Sequence, residues 1–291
     1  MSERYQEPIV IAEIGCNHRG DMAIAKKMID MADVFCDVSH VKFQKRTIRE
    51  MLKPEEYDAP HPNPANSYGD TYGAHREFLE FSVDQQRELK EYCDSKGMTY
   101  SCSVWDVTST REIISFEPAL IKVPSACSNH DGILGALCDE YGGEIHISLG
   151  MTNRREEETL VRFLENHGRF DATVLYHCIS GYPVPFEDMS LLEIERLVSS
   201  YEGRALGIGF SGHHLGIAID VAAYTLGARW VERHYTLDRT WKGTDHAASL
   251  EPMGLRKLQR DLRAAWRSLT LQREEVLPIE QVQRDKLKWN R

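Results

Sequence analysis

Two histidines follow consecutive apolar segments of the chain, and their spacing could bring both of them to one metal ion. His213 comes after the apolar run 207–210. His234 comes after the run 228–232, with one helical segment between the two runs. Residues just past the C-terminal ends of neighbouring parallel strands meet at one face, and neutral imidazole is a ligand for manganese, iron, cobalt or zinc. The spacing therefore predicts a divalent metal held by His213 and His234, with His214 as an alternative to the first ligand.

Two lysines interrupt runs that are otherwise apolar. Lys42 lies in VKFQ and Lys122 lies in LIKVPS. A lysine inside such a run is costly to bury unless an anion neutralises it, and lysine together with serine hydroxyls suits a phosphate or carboxylate group. The pattern therefore predicts an anion site. A Schiff-base lysine is the alternative role, and an ion pair between Lys42 and Glu13 is the purely structural one.

Polar side chains follow the C-terminal end of each predicted strand. If the strands are parallel, all of these side chains meet at one mouth, which predicts an active site there. Asp238, Asp245 and His246 follow soon after His234 and could transfer protons. The strand-end candidates, in chain order, are Glu13, Asn17, His18, Lys42, Gln44, Ser103, Asp106, Lys122, Ser125, Ser148, Ser180, Tyr182, Ser211, His213 and His234.

Short apolar runs alternate with amphipathic stretches about eight times, which predicts the elements that position these residues. Eight such units favour a closed (β/α)8 TIM barrel of the α/β class. An open doubly wound sheet is the alternative, but its first strand would lead into GxGxxG, whereas this chain reads EIGCNH. Helix N-caps are predicted at Asp21, Ser82 and Asn153, and at Asp188 or Ser190. The predicted strands are 9–13, 40–43, 99–103, 120–123, 144–148, 173–177, 206–210 and 228–232.

The domain organisation is predicted from the places where this alternation of apolar runs and amphipathic stretches is interrupted. Residues 1–270 are predicted to form the barrel domain. Residues 271–291 are predicted to form a polar C-terminal tail that either packs across the barrel or extends away from it. The connection 46–81 is rich in Pro, Asn and Gly and is too long for an ordinary barrel loop. Loops of this length are commonly functional lids or disordered, and its Tyr and His content favours a lid.

Composition excludes several classes of function. The chain has 291 residues and a net charge of −10, without a long basic run, which argues against nucleic acid as a partner. Seven scattered cysteines without a CxxC pair indicate reduced thiols. The N-terminus lacks a long apolar segment, and no run approaches the ~20 apolar residues of a membrane span. These features predict a cytoplasmic protein that does not bind membranes.

Linked motifs across almost the whole chain resemble the sialic acid synthase family. The N-terminal half carries IAEIGCNHRG, VKFQ, TYGAHR followed by LEFS, and KVPS. The C-terminal half carries SLGM, CISGYP, FSGH, ERHYTLD and GTDHAASLEP. The variant with Gly212 and with WKG at 241–243 is most similar to the animal-type synthases, which act on a 6-phosphorylated sugar.

The resemblance implies a TIM barrel that condenses phosphoenolpyruvate (PEP) with an N-acylhexosamine to give a nonulosonic, sialic-type acid and phosphate. The acceptor would be similar to N-acetylmannosamine, with or without a 6-phosphate. His213 and His234 would bind manganese, with magnesium or cobalt as alternatives, and the protein would form a homodimer. Gln44, Tyr182 and Asp245 would face the sugar. The implied PEP residues are Lys42, Ser103, Lys122, Ser125, Ser148, Ser180 and Ser211.

The sequence departs from the family pattern at two places. An acidic residue is usual two positions after the serine of KVPS, where this chain has Cys127. The family's C-terminal antifreeze-like domain, whose arginine reaches the sugar of a dimer partner, is expected to be absent from this sequence. Two alternatives stay open. The lysines also allow a Schiff-base aldolase on the same barrel, using Lys42 or Lys122, and the two departures motivate a catalytically degenerate barrel that only binds a sugar or a partner protein.

Overall fold

Eight parallel strands close into one barrel, which confirms the predicted (β/α)8 TIM fold. The computed structural model describes residues 5–289. Each strand pairs with its neighbours in chain order, and the last strand pairs with the first. Most strands extend one or two residues beyond the predicted ends. Their bounds are β1 Ile9–Gly15, β2 His40–Lys45, β3 Thr99–Val104, β4 Leu120–Val123, β5 Glu144–Ser148, β6 Thr173–Cys178, β7 Gly207–Gly212 and β8 Trp230–His234.

Helices connect the strands and surround the barrel. The predicted caps Asp21, Ser82 and Asn153 are confirmed, because each side chain accepts a hydrogen bond from the backbone of the first helical turn. The prediction of Asp188 or Ser190 as a cap is wrong, since that helix begins without a side-chain cap. The helices are α1 Met22–Asp30, α2 Ile48–Met51, α3 Pro54–Tyr57, α4 Tyr72–Leu79, α5 Val83–Asp94, α6 Val107–Ile114, α7 Asp131–Glu140, α8 Arg154–Asn166, α9 Leu192–Tyr201, α10 Ala218–Thr225, α11 Pro252–Ser268 and α12 Pro278–Leu287.

Alternation along the strands separates an apolar shell from a polar interior. Val41 and Phe43 of β2 are fully buried in the main core with Leu89 of α5. Burying each such side chain stabilises the fold by roughly 1.5–3 kcal/mol. The intervening Lys42 and Gln44 line the cavity inside the barrel. Because side chains alternate between the two faces of a strand, the strands that build the core also present polar groups to the interior.

The strand register places the polar interior residues side by side. Glu13 lies opposite Lys42 on one side and opposite His234 on the other. Ser103 of β3 lies opposite Lys122 of β4. Glu13, Ser103, Lys122 and His234 belong to the C-terminal halves of their strands, where TIM-barrel active sites are built. The N-terminal half of the interior holds a separate cluster of large side chains: Ile11, Val174, Tyr176 and Trp230.

The long connection 46–81 contains three short helices, α2 to α4, rather than irregular chain. Its two ends reach the catalytic side, because Arg46 and Arg76 both line the cavity. The described part of the predicted tail carries α12, whose Ile279 and Val282 are exposed. Residues 1–4 of the predicted barrel domain and 290–291 of the tail lie outside the described residues.

No helix between residues 5 and 289 has the length and apolar character needed to cross a bilayer. All seven cysteines are free thiols. Five of the seven are buried, and Cys16 and Cys138 are partly exposed.

Candidate active site

A cavity of about 390 Å³ opens at the C-terminal end of the barrel. It lies where the strand-end side chains were expected to meet. Thirteen residues that the sequence analysis named as candidates for an active site line this one cavity: Glu13, Lys42, Gln44, Ser103, Lys122, Ser125, Ser148, Ser180, Tyr182, Ser211, His213, His234 and Asp245.

Lys42 lies at the floor of the cavity in a buried network. Its Nζ is 2.5 Å from Oε2 of Glu13 and donates a hydrogen bond to Oγ of Ser103 at 2.6 Å. Burial opposes the charge of Lys42, but the carboxylates of Glu13 and Glu232 outweigh it and raise the pKa of the lysine. Lys42 is therefore a fixed cation at physiological pH, and Glu13 does form the ion pair that the sequence allowed.

Lys122 shares its carboxylate partner with Lys42. Its Nζ is 3.0 Å from Oε2 of Glu232, whose other oxygen accepts a hydrogen bond from Ser211 at 3.1 Å. Burial lowers the pKa of Lys122. Burial alone would raise the pKa of Glu232, but Lys122 and Lys42 outweigh it and hold that pKa at about 2. The carboxylate stays ionised and keeps both ammonium groups in place.

Glu232 was not among the predicted site residues, although the sequence contains a signal for it. It stands in the middle of the run WVERH, two residues before His234. A charged residue on the same face of a strand as a cavity histidine must also face the cavity. The strand was predicted to end at residue 232, so the alternation was not followed from Glu232 to His234.

Two arginines also line the cavity without having been predicted. Arg46 is tightly paired: it contacts Glu80, Gln44 and the ring of Trp105. Arg76 of α4 donates only to the hydroxyl of Tyr72 and has no carboxylate partner among the described residues. Arg76 ends the motif TYGAHR, but the motif alone did not place it at the cavity, because its position depends on how the connection 46–81 packs over the barrel.

The two predicted metal ligands form one wall of the cavity. The ring centroids of His213 and His234 are 5.5 Å apart. Nδ1 of His213 bonds the carbonyl of Ile179 at 2.9 Å, which leaves Nε2 as its free lone pair. Burial and repulsion by His234 lower the pKa of His213 to about 4, so the ring is neutral. Nδ1 of His234 is buried without a hydrogen-bond partner among the described residues.

These observations fit a divalent metal held by two imidazoles, since each ring has a nitrogen without another partner that could bind the ion. Between residues 5 and 289, no group of three or more His, Cys, Asp or Glu side chains is arranged to hold a metal. Water or substrate would therefore have to complete the ligand set. The alternative ligand His214 points elsewhere, because it is fully buried against Asp220 and Arg233.

Asp245 and Tyr182 form the outer part of the cavity. Oδ2 of Asp245 is 4.0 Å from Nδ1 of His234. Burial opposes the charge of Asp245, but His234, the hydroxyl of Thr244 and the nearby arginines outweigh it and lower the pKa of the carboxyl. The ring of Tyr182 lies 4.2 Å from that of His213. A carboxylate and an aromatic wall thus flank the histidines.

Serines on three successive strand ends complete the wall opposite the histidines. The backbone N–H of Gly150 donates to Oγ of Ser125 at 3.1 Å. A Cβ at Gly150 would lie 2.5 Å from Oγ of Ser180 and 2.6 Å from Oγ of Ser125. Only glycine therefore fits between the two hydroxyls, which explains the residue after Leu149 in SLGM.

Several strand-end candidates lie outside the cavity. Asn17 donates to the carbonyl of Tyr235, and Asp106 caps α6. His18 stacks on Phe81. Three further residues that the sequence analysis named make contacts with neighbouring residues of the fold. Asp238 accepts a hydrogen bond from Thr240, and His246 bonds the hydroxyl of Thr236. Sγ of Cys127 points to the carbonyl of Trp105.

Comparison with known proteins places the chain in one family. The model of the NeuB family matches residues 28–274. N-acetylneuraminate-9-phosphate synthase of Homo sapiens is 38% identical over 283 residues, which cover 96% of this chain and 76% of that protein. N,N'-diacetyllegionaminic acid synthase of Campylobacter jejuni is 29% identical over 89% of this chain and 76% of its own length.

A solved structure agrees with this relationship. The crystal structure of an N-acetylneuraminic acid (sialic acid) synthetase from Leptospira borgpetersenii, in complex with citrate, superposes with a TM-score of 0.81. The two sequences are 29% identical, and the match covers 98% of this chain and 94% of that one. By its sequence, its barrel and its cavity, this chain belongs to the NeuB family.

Proposed function

We propose that the protein condenses PEP with an N-acylhexosamine to give a nonulosonic acid and phosphate. The observation that carries the proposal is one cavity that holds two buried lysines, Lys42 and Lys122, each beside a carboxylate, together with the imidazoles of His213 and His234. The two lysines suit PEP, which is a trianion, and the two histidines suit the carbonyl group of the acceptor sugar. The names of the relatives, as synthases of sialic and legionaminic acids, support the same reaction.

Lys42 and Lys122 would bind the phosphate and carboxylate of PEP, with serine hydroxyls as further donors. Both ammonium groups are held by carboxylates beneath them, so little reorganisation is needed when the anion binds. The serines that would assist are Ser103, Ser125, Ser148, Ser180 and Ser211.

A manganese, magnesium or cobalt ion bound by His213 and His234 would supply Lewis-acid polarisation of the acceptor's aldehyde. Tyr182 and Gln44 would hold the open-chain sugar against this wall. Asp245, whose carboxylate faces His234, would hold or move a proton at the acceptor oxygen. Separate groups of residues would thus bind PEP, bind the acceptor sugar and transfer protons.

The bond changes balance without an external oxidant or reductant. C3 of PEP attacks the aldehyde carbon, a C–C bond forms, and the aldehyde oxygen takes a proton. Water adds to C2 of the former PEP and gives up a proton to Glu13 or Asp245. The resulting tetrahedral carbon expels phosphate and becomes the keto group of the product. Lys42 and Lys122 would hold C3 near attack distance throughout.

Arg76 supports a phosphorylated acceptor. It lines the cavity, and no carboxylate among the described residues lies within ion-pair distance of its guanidinium. A guanidinium in this state suits a phosphate monoester, and the human relative is named as a 9-phosphate synthase. We therefore infer that Arg76 binds the sugar's phosphate.

Replacing Arg76 with glutamine is expected to raise KM for N-acetylmannosamine 6-phosphate about tenfold or more, since a charge-assisted hydrogen bond contributes roughly 1.5–3 kcal/mol. KM for PEP and for the unphosphorylated sugar should change little. Arg49→Gln is the matched control, because Arg49 is an exposed arginine of the same segment that contacts Tyr57 instead of the cavity. Equal effects of both variants on both sugars would show general electrostatic steering instead of phosphate recognition.

The Schiff-base alternative is less well supported. An amine must be neutral to attack a carbonyl, but the pKa of Lys42 is raised by its carboxylate partners. Lys122 has a lowered pKa, yet it is held by Glu232 at 3.0 Å. Borohydride trapping of a substrate on either lysine, with activity that resists a chelator, would favour the aldolase.

Phosphate release from PEP tests the proposed function. Acceptors would be N-acetylmannosamine, its 6-phosphate and mannose, each with manganese and with EDTA. We expect release only with an N-acylated sugar and only without the chelator. Absence of release with every sugar, in protein that binds manganese, would favour a degenerate sugar-binding barrel. The homodimer stays a prediction that light scattering can check.

A further inference from the structure

The lower half of the barrel contains an aromatic ring directly beneath one of the two lysines. Nζ of Lys122 lies 3.6 Å from the ring centroid of Tyr176. Both side chains are fully buried. A desolvated ammonium over the face of an aromatic ring is attracted by the ring's quadrupole. Lys122 therefore has two supports: Glu232 on one side and the face of Tyr176 on the other.

The ring of Tyr176 is itself fixed by a buried chain of hydrogen bonds. Its hydroxyl is 2.8 Å from Nδ1 of His146, and Nε2 of His146 is 3.0 Å from Oε2 of Glu144. Burial lowers the pKa of His146, so its ring is neutral. Nε2–H then donates to Glu144, and Nδ1 accepts from the tyrosine. The ring edge of Trp230 also packs against His146.

The neighbouring strand leaves space for this ring. Gly209 lies opposite Tyr176 in the sheet. A Cβ at Gly209 would lie 2.6 Å from Cδ1 of the tyrosine, closer than carbon atoms approach in proteins. The glycine in GIGF is therefore needed for the ring to lie flat beneath the lysine. Residues of three strands, β5, β6 and β7, thus fix the position of the ring.

We propose that Tyr176 is a positioning residue, whose ring face holds the Lys122 ammonium at the cavity floor for the anionic end of the donor substrate. This inference rests on the proposed function for the identity of that substrate. The ammonium has three donors. Glu232 takes one, and the ring face receives another, so the third remains available to an anion in the cavity that Lys122 lines.

Kinetics of two substitutions separate positioning from simple packing. Tyr176→Leu removes the ring and should raise KM for PEP roughly tenfold to thirtyfold, the value of a desolvated cation–π contact. KM for the sugar should stay within about twofold of wild type. Tyr176→Phe keeps the ring and should restore KM for PEP to within about threefold. If the leucine and phenylalanine variants change KM for PEP equally, the ring face does not position Lys122.

Gly209→Ala provides a variant that keeps every side chain of the chain intact. Its methyl group should push the ring away from Lys122 and raise KM for PEP in the same direction as Tyr176→Leu. This second variant covers the case in which the leucine substitution prevents folding. An unchanged KM for PEP in folded Gly209→Ala protein would contradict the proposal.

A spectroscopic signature tests the contact independently of catalysis. In lysine-labelled protein, the ε-methylene protons of Lys122 should be shifted upfield by the ring of Tyr176. The signal should be lost in Lys122→Met, move in Tyr176→Leu and stay in Tyr176→Phe. If no lysine shows such a shift, the positioning inference fails even when PEP is consumed. If the shift is present but PEP is not consumed with any sugar, the proposed function fails and the contact stands.

Discussion

Replacing Lys42 with methionine is expected to reduce turnover of PEP about a thousandfold, comparable to the loss of a preorganised donor at a reacting charge. The same change should lower the free energy of unfolding by about 3–5 kcal/mol, the usual cost of removing one partner of a buried ion pair. The reason is the 2.5 Å contact between Lys42 and Glu13, both nearly inaccessible to solvent. Without the lysine, Glu13 keeps a buried charge with no cation beside it.

A double variant separates the two effects. Glu13→Gln on the Lys42→Met background should recover most of the lost stability, because a neutral pair of similar shape replaces the broken ion pair. Turnover should stay low, since the amide does not replace an ammonium for the donor anion. Recovery of turnover in the double variant would mean that Lys42 contributes only to the stability of the fold and not to catalysis.

The pH of the unfolding experiment matters for Lys42. Its pKa is raised in the fold, because Glu13 and Glu232 outweigh the effect of burial. A raised lysine pKa gives stability that is complete below the unfolded value of about 10.4 and is lost as the pH rises through the folded value. Urea unfolding near neutral pH therefore measures the whole contribution, and the difference between wild type and Lys42→Met should shrink only at strongly alkaline pH.

Replacing His213 or His234 with glutamine is expected to weaken manganese binding by at least tenfold to a hundredfold and to reduce turnover at least as much. These two rings would supply all the protein nitrogen ligands of the ion. Electron paramagnetic resonance of free manganese measures the binding without any substrate. The fold should persist, because neither ring belongs to the buried ion-pair network.

His214→Gln is the matched control for the histidine variants. His214 is adjacent in sequence but is buried against Asp220, 3.2 Å away, and Arg233. The control should lose stability and keep manganese affinity per folded molecule. Loss of manganese binding in His214→Gln, with normal binding in His213→Gln, would overturn the assignment of the ligands.

The choice between His213 and His214 shows how much strand alternation predicts. Gly209, Ser211 and His213 share one face of β7 and its extension, and Ser211 and His213 line the cavity. His214 has the opposite parity and faces the surrounding helices. The sequence contained this distinction, but β7 was predicted to end at 210, so the alternation was not carried through to the histidines.

Other parts of the site depend on packing that the sequence does not encode locally. The thirteen predicted residues follow strands, so the barrel topology brings them together. Arg76 belongs to α4, a helix of the connection 46–81, and its distance from the cavity depends on tertiary contacts. The start of α9 was also misjudged, because Ser190 adopts a left-handed conformation before the helix and Leu191 follows without a side-chain cap.

Product analysis of one complete reaction tests the central claim most directly. Purified protein would be incubated with PEP, manganese and either N-acetylmannosamine or its 6-phosphate, and the product examined by mass spectrometry together with an assay of released phosphate. The account predicts a product heavier than the acceptor by one pyruvic acid, formed in equal amount to phosphate. Consumption of PEP without that product, or no reaction by folded manganese-loaded protein with any N-acylhexosamine, would contradict it.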